Sequence, residues 1–170
     1  MFNLSRLPGH RRSGGSPPHK DNEPPIRLLV ITADCDFYSH LSEAASTSGW
    51  SIRAAATLEE AIPAVQDGSF PLVVYDCNPA DDWRAAFDRL RSVNSSICLV
   101  LASRATDPYL WQEVIQAGGF DLISRSAAQD EVIHKLRFAW FWNETSQPAS
   151  NKRISRPSKR SGYSNDDVSQ

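Results

Sequence analysis

Short apolar runs recur along the middle of the chain: Leu28-Leu29-Val30-Ile31, Leu72-Val73-Val74-Tyr75, Ile97-Cys98-Leu99-Val100-Leu101 and a brief Leu122-Ile123. Unbroken runs of this length predict strands buried on both faces, as in a parallel sheet covered by helices. Ser51 to Ala56 alternates more weakly and suits an outer strand. Between the runs the apolar period changes to that of a helix. Phe37, Leu41, Ala44 and Ala45 share one face, with Gly49 placed to end that helix. Thr57 and Glu60 form a capping box that opens a second helix, which Pro63 must bend or shorten. Trp83, Phe87 and Leu90 line a third. Asp107 and Pro108 make a cap and first turn for a fourth, which runs through Trp111, Val114 and Ile115 to a stop at Gly118-Gly119. The last helix is expected from about Ala127 to Trp142, with Val132, Ile133, Leu136 and Ala139 or Trp140 toward the sheet.

Five strands thus alternate with five helices, which predicts an α/β domain of parallel strands with right-handed crossovers, packed as three layers. The chain has 170 residues and 41% hydrophobic content, enough for one domain and one core. The expected organisation is a tail over residues 1–25, a folded domain over 26–144 and a basic tail over 145–170. Both tails are rich in Pro, Gly, Ser and charge and are expected to be disordered.

Charge changes this picture only when it is divided. The whole chain carries −2, but residues 26–144 hold nine Lys/Arg against sixteen Asp/Glu, whereas the tails hold nine against four. The folded part is acidic. Lys152, Arg153, Arg156, Lys159 and Arg160 are spaced as a solvated tail, and so few phosphate contacts would bind nucleic acid only weakly. A nucleic-acid-associated protein using that tail is therefore the weakest reading. Met1 to Arg12 has no apolar run of the kind a secretory leader carries, so none is expected, and no apolar stretch of this sequence reaches membrane-spanning length. Cys35, Cys77 and Cys98 have no metal spacing and are odd in number, which fits a reduced, cytoplasmic setting.

In an open parallel sheet, ligands sit beyond the carboxyl ends of the strands. The residues to inspect are Thr32 to Cys35, Asp76 with Cys77, Ala102 with Ser103, and Ser124 with Arg125. No Gly-rich phosphate loop follows the first strand. The segments RLLVITADCDF, PLVVYDCN, CLVLASR and AGGFDLISRS resemble the receiver domain of two-component response regulators, over about residues 26 to 142. That resemblance implies a flavodoxin-like, doubly wound (βα)5 fold with strand order 2-1-3-4-5. It also implies an Asp on the third strand that accepts a phosphoryl group, two acidic residues after the first strand that hold Mg²⁺, a hydroxyl ending the fourth strand and a Lys ending the fifth. Asp76 matches the phosphoacceptor, Ser103 the hydroxyl by its spacing to Arg125, and Arg125 stands where Lys is usual; a slip of one residue would put Ala102 in place of Ser103.

The departures bear on function. Thr32 and Ala33 occupy the two metal positions, so Asp34 and Asp76 are the remaining weak candidates for Mg²⁺. Leu122 stands where the family carries Tyr or Phe, and Ser126 where it carries Pro. Each residue also has a plainer reading: Asp34 as a helix cap, Ser103 as a turn cap, Arg125 as a structural ion pair with Asp76 or Asp34. Cys35 and Cys77 follow two site positions without redox spacing, and His10, His19, His40 and His134 lack metal-ligand companions. The 26 residues after Glu144 are few and polar, so no output domain is expected there. The expected function is a stand-alone atypical receiver in two-component or phosphorelay signalling, which works by binding a histidine kinase or other signalling protein. Phosphorylation at Asp76 is expected to be weak or absent, and catalysis extends at most to autophosphorylation from a kinase. The competing reading is an active, Mg²⁺-dependent phosphoacceptor. Phe138, Trp140, Phe141 and Trp142 cover more than one face of the last helix. They suit a partner or homodimer surface, or burial beneath the N-terminal arm.

Overall fold

The computed structural model describes residues 25–78 and 81–146. Ten elements alternate along the chain: β1 (Arg27–Ile31), α1 (Cys35–Thr47), β2 (Ser51–Ala55), α2 (Leu58–Gln66), β3 (Leu72–Asp76), α3 (Trp83–Val93), β4 (Cys98–Ser103), α4 (Pro108–Gln116), β5 (Asp121–Ser124) and α5 (Gln129–Ser146). The strands form one parallel sheet in the order β2-β1-β3-β4-β5.

The unbroken apolar runs divide between the two faces because successive side chains of a strand point opposite ways. Leu29, Ile31, Val73, Leu99 and Leu101 pack with Ala61, Val65, Phe87, Leu90 and Val114 from α2, α3 and α4. Leu28, Val30, Leu72, Val74 and Val100 pack on the other face with Phe37, Leu41, Val132, Leu136 and Ala139 from α1 and α5. Three layers result. The weakly patterned β2 is the edge strand beside β1, and Ala55 is its one buried residue.

Helix starts follow the capping rules. Thr57 accepts the N–H of Glu60 at 3.2 Å, and the Glu60 carboxylate accepts the N–H of Ala56 at 2.8 Å. Asp107 accepts the N–H of Leu110 at 2.8 Å, with Pro108 in the first turn. With Pro63 inside it, α2 stops after nine residues.

Two expectations about α5 need correction. It begins at Gln129, not Ala127; Ala127 precedes it, with its N–H bonded to Ser124 O at 3.2 Å. Of the residues expected against the sheet, Val132 and Leu136 are buried, Ala139 rather than Trp140 takes the fully buried place with Trp140 packed beside it, and Ile133 is half-buried on the flank of that stripe. The stripe i, i+4, i+7 takes the sheet, and residues one position on fall at its margin. The expected tails lie outside the described residues, apart from Pro25 and the last α5 residues Thr145 and Ser146.

Candidate functional site

The carboxyl ends of β1, β3, β4 and β5 bring the inspected residues to one edge of the sheet. α1 leaves β1 on one face and α2 and α3 flank β3 on the other, so the β1–β3 boundary is where the connections diverge. Asp76 ends β3 opposite Ala102, so Ser103 projects one residue further, opposite Ser124. The N–H of Arg125 donates to Ser103 O at 3.0 Å and anchors the residue after β5.

Asp76 is 5% exposed and Thr32 8%. The Thr32 hydroxyl donates to Asp76 Oδ2 at 2.6 Å and accepts the N–H of Asp34 at 3.0 Å. Asp34 caps α1 through Oδ1, which accepts the N–H groups of Asp36 and Phe37, each at 3.0 Å. Its Oδ2 accepts the Nη2 donor of Arg125. The same guanidinium reaches the other carboxylate, with Nε 3.3 Å from Asp76 Oδ1. That approach is an ion pair without hydrogen-bond alignment, since Asp76 Oδ1 is buried with no hydrogen-bond partner. Arg125 lies over the Phe37 ring at 5.1 Å, and Arg104 stands at the rim 3.8 Å from Asp34 Oδ2.

This arrangement has electrostatic consequences. The backbone N–H of Phe37 and then the Arg125 hydrogen bond hold the Asp34 carboxyl below its ordinary value, outweighing the effect of burial. Burial, aided by Asp81 and Asp76, pushes the Cys77 thiol up, so it stays neutral and a poor nucleophile.

The structure thus places Asp34, Asp76 and Arg125 together, and the plain reading of Arg125 as an ion pair holds for both carboxylates at once. Ser103 is buried at the neighbouring strand end, where its hydroxyl accepts the N–H of Ala105 at 3.2 Å. Cys35 is exposed, Cys77 half-buried, and both are free thiols. Cys98 packs in the core, where burial pushes its thiol up to about 12. His40 Nε2 lies 3.0 Å from Ala127 O, and His134 is exposed on α5. Leu122 is buried. The role of Thr32 was not anticipated; its signal was a hydroxyl at the end of a buried strand, where an unpaired polar group is costly.

Mg²⁺ demands several oxygen ligands in near-octahedral array. Asp34 is engaged through both oxygens and Asp76 Oδ2 takes the Thr32 hydroxyl, which leaves Asp76 Oδ1 beside a guanidinium. Among the described residues no group of three or more His, Cys, Asp or Glu is placed to hold a metal ion. With Arg125 in place, the donor set fits the guanidinium it already holds and does not fit Mg²⁺. A cleft of about 380 Å³ opens above Asp76 between Ala33, Asp34, Cys35, Asp36 and Asn78.

The fold is that of response-regulator receiver domains. The chain is similar to a CheY-like receiver domain protein from Methanospirillum hungatei JF-1, with TM-score 0.64 and 14% identity over 73% of this chain and 100% of the other. HP1043, an orphan response regulator of H. pylori, superposes with TM-score 0.60 at 14% identity, over 68% of this chain and 98% of its own. The beryllofluoride-activated NtrC4 receiver domain dimer gives TM-score 0.62 at 19% identity, over 69% and 98%. No family model matches the chain, and no curated protein matches its sequence. No helix among the described residues is long and apolar enough to cross a membrane.

Proposed function

We propose that this chain is an atypical receiver-domain protein of two-component or phosphorelay signalling. It acts by binding a signalling partner, a histidine kinase or another protein of the relay, with weak or no phosphorylation at Asp76. One observation carries the proposal: where phosphoryl transfer needs a second carboxylate to hold a metal ion, Thr32 instead donates its hydroxyl to Asp76 at 2.6 Å. The carboxylate that would act as nucleophile is thereby engaged on Oδ2 and faces Arg125 on Oδ1.

Partner binding has a surface to use. Tyr109, Trp111 and Ile115 of α4 and Phe138, Phe141 and Trp142 of α5 are all exposed. Aromatic side chains are enriched at protein interfaces, and Trp and Tyr are among the few residues that dominate binding energy. A second copy of the chain, docked through α5, is the competing occupant and would appear as a concentration-dependent mass in sedimentation.

The active-receiver reading draws on the cleft that opens over Asp76 beside Asp34 and Asp36. Intact mass and tryptophan fluorescence after addition of acetyl phosphate or beryllofluoride, with and without Mg²⁺, separate the two. The proposed function expects neither adduct nor fluorescence change in the wild type. A Mg²⁺-dependent change that disappears in Asp76→Ala would establish a working phosphoacceptor and replace this reading. The basic residues from Lys152 to Arg160 lie outside the described residues, and deleting them tests any nucleic-acid retention directly.

A further inference from the structure

The two carboxylates at the receiver site are bridged by one of the chain's own side chains. We infer that the Arg125 guanidinium is a built-in replacement for the divalent cation, that it holds Asp34 and Asp76 together as a permanent lock, and that its removal uncovers a latent divalent-cation site. The inference deepens the function proposed above and rests on Asp76 not being a working phosphoacceptor.

The geometry supports a fixed position for that cation. The Arg125 side chain is 9% exposed and that of Asp76 2%, while Asp34 is 32% exposed at the mouth. The residue is gripped at both ends: its N–H is tied to Ser103 O, and its guanidinium rests on Phe37. The planar fork hydrogen-bonds Asp34 through Nη2 and sets Nε 3.3 Å from Asp76 Oδ1 as an ion pair. A Lys ammonium, a compact point charge on a flexible stem, has no such pair of separated donors. The Arg at this position is therefore the feature that makes bridging geometrically available. A divalent ion entering the same space would meet a like charge in a site largely closed to water, where screening is weakest.

Removing the guanidinium reverses that balance. Asp76 would become a buried carboxylate with no cation beside it, which is strongly destabilising, and any cation able to reach the mouth would relieve it. Arg125→Met keeps most of the side-chain volume and deletes the charge. Thermal unfolding of the full chain is followed for wild type and Arg125→Met, with MgCl2 or MnCl2 at millimolar concentration against NaCl at matched ionic strength.

The wild type is expected to show no divalent-specific shift. Arg125→Met is expected to melt lower in NaCl and to recover several degrees in Mg²⁺ or Mn²⁺, with the recovery lost in Arg125→Met/Asp34→Asn. If Arg125→Met folds only with the divalent ion present, the lock is supported in its strongest form. A wild type stabilised by Mg²⁺ at matched ionic strength overturns the inference, as does an Arg125→Met variant indifferent to divalent ions. Arg125→Lys, which keeps the positive charge, serves as the folded control, and a Mg²⁺ recovery in it as large as that of Arg125→Met counts against the lock. Failure here is distinct from failure of the proposed function, which would show as an Asp76-dependent beryllofluoride response in the wild type.

Discussion

Thr32 works in two directions at once, donating to the buried Asp76 carboxylate and accepting the N–H that begins the turn into α1. Thr32→Val keeps the shape but leaves both partners unmatched, so it is expected to lower stability by about 1–3 kcal/mol, read from urea unfolding. A change indistinguishable from zero would mean that Asp76 finds its compensation elsewhere. Asp34 makes a pH-dependent contribution of defined sign. Its folded-state carboxyl lies below the ordinary value of 3.8, so its stabilisation is present above that value and is lost as pH falls through the folded-state value. Asp34→Asn retains the cap but not the charge. Wild type and Asp34→Asn should therefore differ by a constant amount at neutral pH and converge on acidification below about pH 4 in parallel acid unfolding curves.

The helices owe their boundaries to local chemistry, and Asp34, Thr57, Asp82 and Asp107 cap four of the five. Sequence spacing singled out three of these caps; Asp82 follows Asp81 in an acidic pair, so the pattern did not say which residue caps. At the turn after α4, a neighbour that only the fold supplies crowds the glycine. Gly118 has φ +80°, and a Cβ there would lie 1.7 Å from Arg91 Nη1 of α3. Gly118→Ala is expected to cost about 1–2 kcal/mol from the left-handed backbone alone, plus displacement of Arg91. Gly49, with φ +70° and open space around it, provides the comparison. If Gly49→Ala costs as much as Gly118→Ala in thermal unfolding, displacing the Arg91 side chain costs nothing.

At the scale of the whole molecule, the large apolar groups exposed among the described residues are concentrated on α4 and α5, while α2 and α3 pack theirs against the sheet. Within α4, Trp111 turns its indole N–H to Asp121 at 3.0 Å and remains half exposed, and Val114 alone is buried. Periodicity predicted that helix but not how little of its apolar face the core would take, because one stripe of a helix reads the same whether or not another layer covers it. Two facts about this protein were determined by its sequence alone. The unbroken strands and the 3.6-residue helices imposed a three-layer α/β domain, and the residues after each strand were bound to gather along one edge of the sheet. Both are properties of short windows of chain, set by side-chain alternation and by the direction in which parallel strands run. The pairing within the site was decided only by the tertiary structure. Thr32 and Asp76 are 44 residues apart and Asp34 and Arg125 are 91 apart, so no local pattern specifies their contact. They meet because the order β2-β1-β3-β4-β5 brings three strand ends to one edge, and burial there obliges each charge and hydroxyl to find a partner.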